Sequence, residues 1–130
     1  MDKELYDKGM VTRRAVLGDA HVDRALETAG EFGAAMQEMA TSFGWGWLWN
    51  RPGLERKTRS LLNLAMLSAL NRPHEFKAHV RGAVVNGASR EEIREVLLQV
   101  GFYCGIPAAI EAHRLAREVL SGMDAENKSG

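Results

Sequence analysis

Cysteine is almost absent from this chain. The single Cys104 in 130 residues excludes an intrachain disulfide framework and any metal site built on several thiolates. Proline is nearly as scarce, and Pro52, Pro73 and Pro107 all fall where elements are expected to begin or end. Net charge is missing too, because 17 Lys plus Arg balance 17 Asp plus Glu. No global field draws nucleic acid, so an anionic ligand has to be held by local arginines. No apolar run approaches the ~20 residues that cross a bilayer. The N-terminal MDKELYDKG is also too charged for a signal peptide. The expectation is a cytoplasmic protein with neither a nucleic-acid nor a membrane partner. Strand signals are lacking as well, since no β-branched run alternates with polar residues.

Helical signals fill the space these absences leave. A charged helix runs from Lys3 to Leu17 until LGDA stops it, and a second stretch from about Val22 to Phe43 reads as one or two helices broken near Gly30 and Gly33. GWGWLWNRPG then combines aromatics with turn residues and is expected to be the longest irregular connection. Leu54 to Leu70 is apolar nearly all round in its later turns and is expected to be central and buried. Asn71-Arg72-Pro73 enters a helix that stops at Gly87, a residue suited to a left-handed cap. Ser89 and Glu92 form a capping box for the next helix, which Gly105 ends. Pro107 starts a last helix to about Leu120. The expected fold is all-α, a single-domain bundle of six or seven helices over residues 1–121, with a mobile tail at 122–130. A chain of this length can bury roughly two-thirds of its unfolded surface, enough for a core.

The stretch NRPHEFKAHV concentrates the chemistry. His74 and His79 are five residues apart and diverge by about 140° on a helix, so they do not suit one metal ion. No metal is expected. Arg72, Glu75 and His79 instead fall at i, i+3 and i+7, one helical stripe. Histidine exchanges protons near neutral pH, and Glu75 one turn earlier can orient its ring. On spacing alone the stripe reads equally as a solvated face whose pairs contribute a few tenths of a kcal/mol.

The motifs WGxxW, KTRSLLNLAML, ALNRPHE, HVRGA, NGASREEIREVLLQ and YCGIPAA, in this order, resemble the carboxymuconolactone decarboxylase family over nearly the whole chain, most densely from Trp45 to Ala109. The family shares its helical fold with alkylhydroperoxidase D-like thiol peroxidases, whose active helix carries a glutamate, then CxxC, then a histidine. Laid on this sequence, that histidine is His79, while Arg72 and Glu75 stand at the cysteine positions and Ser60 at the glutamate. A thiol peroxidase or disulfide reductase therefore fails on cysteine count. A non-catalytic ligand-binding protein of the same fold is the other alternative.

The resemblance implies decarboxylation of 4-carboxymuconolactone to β-ketoadipate enol-lactone, in protocatechuate breakdown, by a cofactor-free trimer or hexamer. Its implied partner is a small lactone carboxylate. The implied roles place His79 and Glu75 in catalysis. Arg72, Arg51, Arg59 and Arg81 are candidates to grip carboxylates, since a planar guanidinium offers two parallel donors. Arg81 lies on another face from His79 and also suits a subunit contact. Trp45 and Trp49, with Trp47 between them, can wall the site or form an oligomer contact. Cys104 is expected to be a buried small apolar residue.

Overall fold

The computed structural model describes residues 2–129, and within them six α-helices and one π-helical segment account for all regular structure. The all-α expectation holds. The chain divides into two compact units, one ending at Arg56 and the other beginning at Lys57.

The first unit is built on glycine. Helix α1 (Lys3–Leu17) starts at Asp2, whose carboxylate accepts from the Glu4 and Leu5 amides, and ends at Gly18 with φ 89°. It packs against the π-helical segment Ala40–Leu48 through Gly9 and Gly46. A Cβ on Gly9 would lie 2.0 Å from the Thr41 carbonyl oxygen, and one on Gly46 would lie 2.4 Å from that of Leu5. Only hydrogen fits there. Helix α2 (Asp19–Met39) kinks where expected, at Gly30, which leaves helical geometry at φ 56° and ψ −155°.

The tryptophan-rich stretch departs from expectation: it is not irregular up to Asn50. The Trp49 amide donates to Gly44 O at 3.0 Å, an i→i+5 bond of the wider π turn. That turn brings Trp45 and Trp49 into a stack 4.7 Å apart, and both are buried. The Asn50 amide then closes the segment by donating to Trp45 O and Gly46 O, each at 3.1 Å. Turn residues act here as the end of a helix.

The second unit holds α3 (Arg56–Ala69, whose first residue belongs to the preceding unit), α4 (Pro73–Val85), α5 (Arg90–Cys104) and α6 (Ile106–Ser129). Its core gathers Leu64, Phe76, Val80, Ile93, Leu97 and Leu115. Truncating a side chain such as Phe76, 1% exposed, to alanine typically costs about 3–5 kcal/mol. Helix α3 is closed two residues past its end by Asn71, left-handed at φ 57°, where Arg72 N donates to Leu67 O and Asn71 N to Ser68 O. The same 6→1 and 5→2 pair closes α4 at Gly87, through Ala88 N to Ala83 O and Gly87 N to Val84 O. Both capping-box bonds of Ser89 and Glu92 are present.

Two further expectations are corrected. Helix α3 is not buried all round: Ser60, Leu64 and Ser68 are buried, whereas Leu62 and Met66, and Leu70 just past its end, are 46%, 51% and 62% exposed. A helix covered along one stripe leaves its other apolar side chains in solvent. Nor does the last helix end near Leu120, because residues 122–129 continue α6. The cause is charge. Glu118 pairs with Lys77, Asp124 with Arg90 and Glu126 with Arg81, tying α6 to α4 and α5 beyond its apolar contacts. Each exposed pair is worth less than about 1 kcal/mol, but together they fix the path of the helix.

Gly9→Ala is expected to destabilise the fold by about 2–3 kcal/mol, since backbone must move to admit the methyl group. Gly122→Ala meets nothing within 4 Å and should raise the thermal midpoint slightly through helix propensity. Thermal unfolding of the two variants checks the sign, and an unchanged midpoint for Gly9→Ala would remove the close contact.

Arg81 holds the Glu126 carboxyl below its ordinary range through its hydrogen bond. An acid lowered on folding stabilises at pH above its unfolded value, and the contribution disappears as pH falls through the lowered one. Amide exchange in the last turns of α6, corrected for the intrinsic slowing of exchange in acid, is therefore expected to quicken on acidification. Glu126→Gln should show the faster exchange already at neutral pH.

Candidate active site

The reversal between α3 and α4 determines what faces what. Because Asn71 is left-handed and Pro73 opens α4, Arg72 becomes the residue before the helix, at φ −117° and ψ 77°. Arg72 thus leaves the expected stripe, which keeps only Glu75 and His79. Its guanidinium folds back to donate to Leu70 O at 2.9 Å and Asn71 O at 3.3 Å. It lines a hollow of about 340 Å³ with Ser68, Pro73, Phe76, Pro107 and Glu111. His79 and Glu75 do not line that hollow.

His79 sits half-buried one turn after the exposed Glu75, with its Nδ1 3.5 Å from the Asn63 amide nitrogen on α3. Further along the same two helices the Asn86 amide donates to Ser60 Oγ at 2.9 Å. Ser60 is fully buried, so this bond satisfies a hydroxyl that water cannot reach. The two pairs, 63 with 79 and 60 with 86, run antiparallel and hold α3 against α4 in one register. His74 is exposed.

The remaining candidates divide between the units. In the second, Arg59 is half-buried on α3, and Arg81 grips both oxygens of Glu126 at 3.2 and 2.7 Å. Lys57 pairs with Glu92 at 3.1 Å. The Ser89 amide and then Lys57 pull the Glu92 carboxyl below its ordinary range. Cys104 is exposed rather than buried. It lines an apolar hollow of about 380 Å³ with Leu61, Leu62, Val96, Val100 and Tyr103. Glycine at 105 ends α5 there and leaves the thiol uncovered. In the first unit Arg51 lies over the Trp47 ring, 4.7 Å from its centre, beside the stacked Trp45 and Trp49.

Three polar residues that matter escaped the sequence. Asn63 interrupts the apolar run LLNLAML, a signal that was available. Asn86 reads in sequence as a helix end, yet it is the partner of Ser60. Arg13 is 6% exposed, donating to Thr41 Oγ1 at 3.0 Å, and burial lowers its pKa. Nothing in the pattern of α1 distinguishes it from Arg14, which instead bonds Asp19 and Asp23.

Among the described residues no helix is long and apolar enough to cross a membrane. The family model described as Carboxymuconolactone decarboxylase family matches residues 34–118. A 4-carboxymuconolactone decarboxylase of Acinetobacter baylyi is 39% identical over 94% of this chain and 91% of its own. A nitrosuccinic acid decarboxylase of Metarhizium robertsii is 40% identical over 95% of this chain and 86% of its own. A 4-carboxymuconolactone decarboxylase of Pseudomonas putida is 56% identical over 45 residues, covering 35% of this chain and 94% of that sequence. Matches that run through both units, in the motif order read above, leave one assignment: the chain belongs to the carboxymuconolactone decarboxylase family.

Proposed function

We propose that this protein is a carboxy-lyase that converts 4-carboxymuconolactone to β-ketoadipate enol-lactone without a cofactor, as a step of aromatic-acid breakdown. The observation that carries the reading is the whole-length likeness to the Acinetobacter decarboxylase. In the reaction the bond from the γ-carbon to its carboxylate breaks and CO₂ leaves. The electron pair spreads through the ring double bond to the lactone carbonyl oxygen as a dienolate. One proton added at the α-carbon gives the enol-lactone. The substrate supplies its own electron sink, so the protein has to orient the leaving carboxylate, stabilise the oxyanion and deliver that proton.

His79 is assigned the proton or the oxyanion contact, supported by its half-buried place on α4. Glu75 modulates it from the preceding turn. Arg72, which donates to the backbone carbonyls of Leu70 and Asn71 in its own turn, is assigned a substrate carboxylate. Arg51 and Arg59 are secondary candidates, with Trp45 and Trp49 as an apolar wall. Arg81 ranks last, because Glu126 already occupies its fork.

A second substrate is favoured by a specific observation, the equally extensive likeness to a nitrosuccinic acid decarboxylase. Nitrosuccinate also carries a carboxylate on a carbon whose neighbour delocalises charge, and CO₂ loss leaves a nitronate. Both substrates bear a second carboxylate. The decisive assay follows ultraviolet loss of freshly generated 4-carboxymuconolactone beside CO₂ release from nitrosuccinate. Turnover of the lactone alone is expected, and turnover of nitrosuccinate alone would overturn the first reading. His79→Gln should lower kcat by ~10²-fold or more, whereas Arg72→Ala should mainly raise KM. Near-normal kinetics for His79→Gln would return α4 to a charged surface helix.

The same reading proposes a homo-oligomer of three or six copies. Its support is the exposed apolar set of the second unit: Leu62 and Met66 on α3 and Leu70 just after it, with Phe102, Tyr103 and Ile110 on α5 and α6. Sedimentation at micromolar concentration should find a trimer or hexamer, and an active monomer would exclude it.

A further inference from the structure

We infer that Asn63 is a positioning residue that sets His79 in its Nε2–H tautomer, and its kinetic consequence rests on the reading of His79 as the oxyanion contact. The Asn63 amide nitrogen faces Nδ1 of His79 at 3.5 Å. An amide nitrogen carries hydrogens and offers no lone pair, so it only donates. Nδ1 is then the bare nitrogen of the ring, and the neutral imidazole carries its hydrogen on Nε2. The hydrogen that neutral His79 can offer to the developing oxyanion is accordingly the one on Nε2.

The same chain supplies the opposite case. His113 Nδ1 lies 2.7 Å from the Ala109 carbonyl oxygen, which only accepts, so there Nδ1 carries the hydrogen. Two histidines on neighbouring helices are held in different tautomers by different partners. The seam that places Asn63 is also anchored. Asn86 to the buried Ser60 hydroxyl, on the same α3–α4 seam, fixes the register that brings residue 63 opposite residue 79. A neutral partner suits this task. It orients the ring without adding the negative charge that a carboxylate would place beside a substrate bearing carboxylates of its own.

Long-range ¹H–¹⁵N correlation spectra of the intact protein, recorded above the imidazole titration range, test the assignment. The His79 signals are identified by their loss in His79→Gln. Wild type should show the Nε2–H pattern for His79 and the Nδ1–H pattern for His113. Asn63→Asp, nearly isosteric, places an acceptor opposite Nδ1 and should reverse the His79 tautomer while leaving that of His113 untouched. Helical circular dichroism confirms that the variant folds. Its kcat should fall ~10-fold or more with KM little changed. An Nδ1–H pattern for His79 in wild type overturns the inference, and so does a tautomer indifferent to Asn63→Asp. A reversed tautomer with unchanged kcat would uphold Asn63 as the partner and remove His79 as the oxyanion contact.

Discussion

The candidate site depends on one backbone conformation, the left-handed Asn71 between α3 and α4. A side chain other than glycine, asparagine or aspartate would be strained there by roughly 1–2 kcal/mol. Asparagine permits the two reversed hydrogen bonds that end α3, and Pro73 then begins α4 where its missing amide is not needed. The chain doubles back within a few residues, so positions descending α3 meet positions ascending α4. His79 faces Asn63 and Asn86 faces Ser60 for this reason alone. The turn also expels Arg72 from the helix and aims its guanidinium at the turn's own carbonyls.

Charge is balanced in total and unevenly committed in detail. Arg14 holds Asp19 and Asp23, Arg90 holds Asp124, and Arg114 holds Glu111 and Glu118. These exposed pairs add little stability individually, yet they commit those three arginines to carboxylates of the chain itself. Arg81 is committed in the same way to Glu126. Arg72 is different, since its guanidinium donates to the neutral carbonyl oxygens of Leu70 and Asn71. A carboxylate offered to it would replace weak acceptors with a charged one. That difference, rather than the number of arginines, makes Arg72 the stronger candidate of the two.

What the sequence discloses follows from which interactions are local. Helix ends are local, so Gly18, the kink at Gly30, Gly87 and the Ser89–Glu92 box were legible from residue type. The π segment was not, because glycine, asparagine and proline among the tryptophans read as turn residues until the Gly44–Trp49 bond is seen. The length of α6 was missed because its last turns are tied down by acids pairing with bases on α4 and α5. Those partners are at least 34 positions away in sequence. The site shows the same division. His79 stands out by its chemistry, while Asn63 acquires a role only from the register of two helices.

The two decarboxylase relatives point to a shared chemical problem, and it explains why so modest a site suffices for the proposed reaction. A dienolate and a nitronate both keep the released electron pair on the substrate's own atoms. The barrier is then lowered by fixing the carboxylate out of conjugation, removing water from it and placing one proton donor on the correct face. None of these tasks calls for a strongly shifted acid. They call for a ring whose orientation and hydrogen position are settled before substrate arrives, because a donor free to choose between two nitrogens loses part of its preorganisation. An uncharged amide opposite Nδ1, locked in register by a buried hydroxyl further along the helix, meets that requirement with residues that a search for charged motifs passes over. In the proposed reaction, specificity between the two substrates falls to the groups that receive the second carboxylate, the role proposed for Arg72.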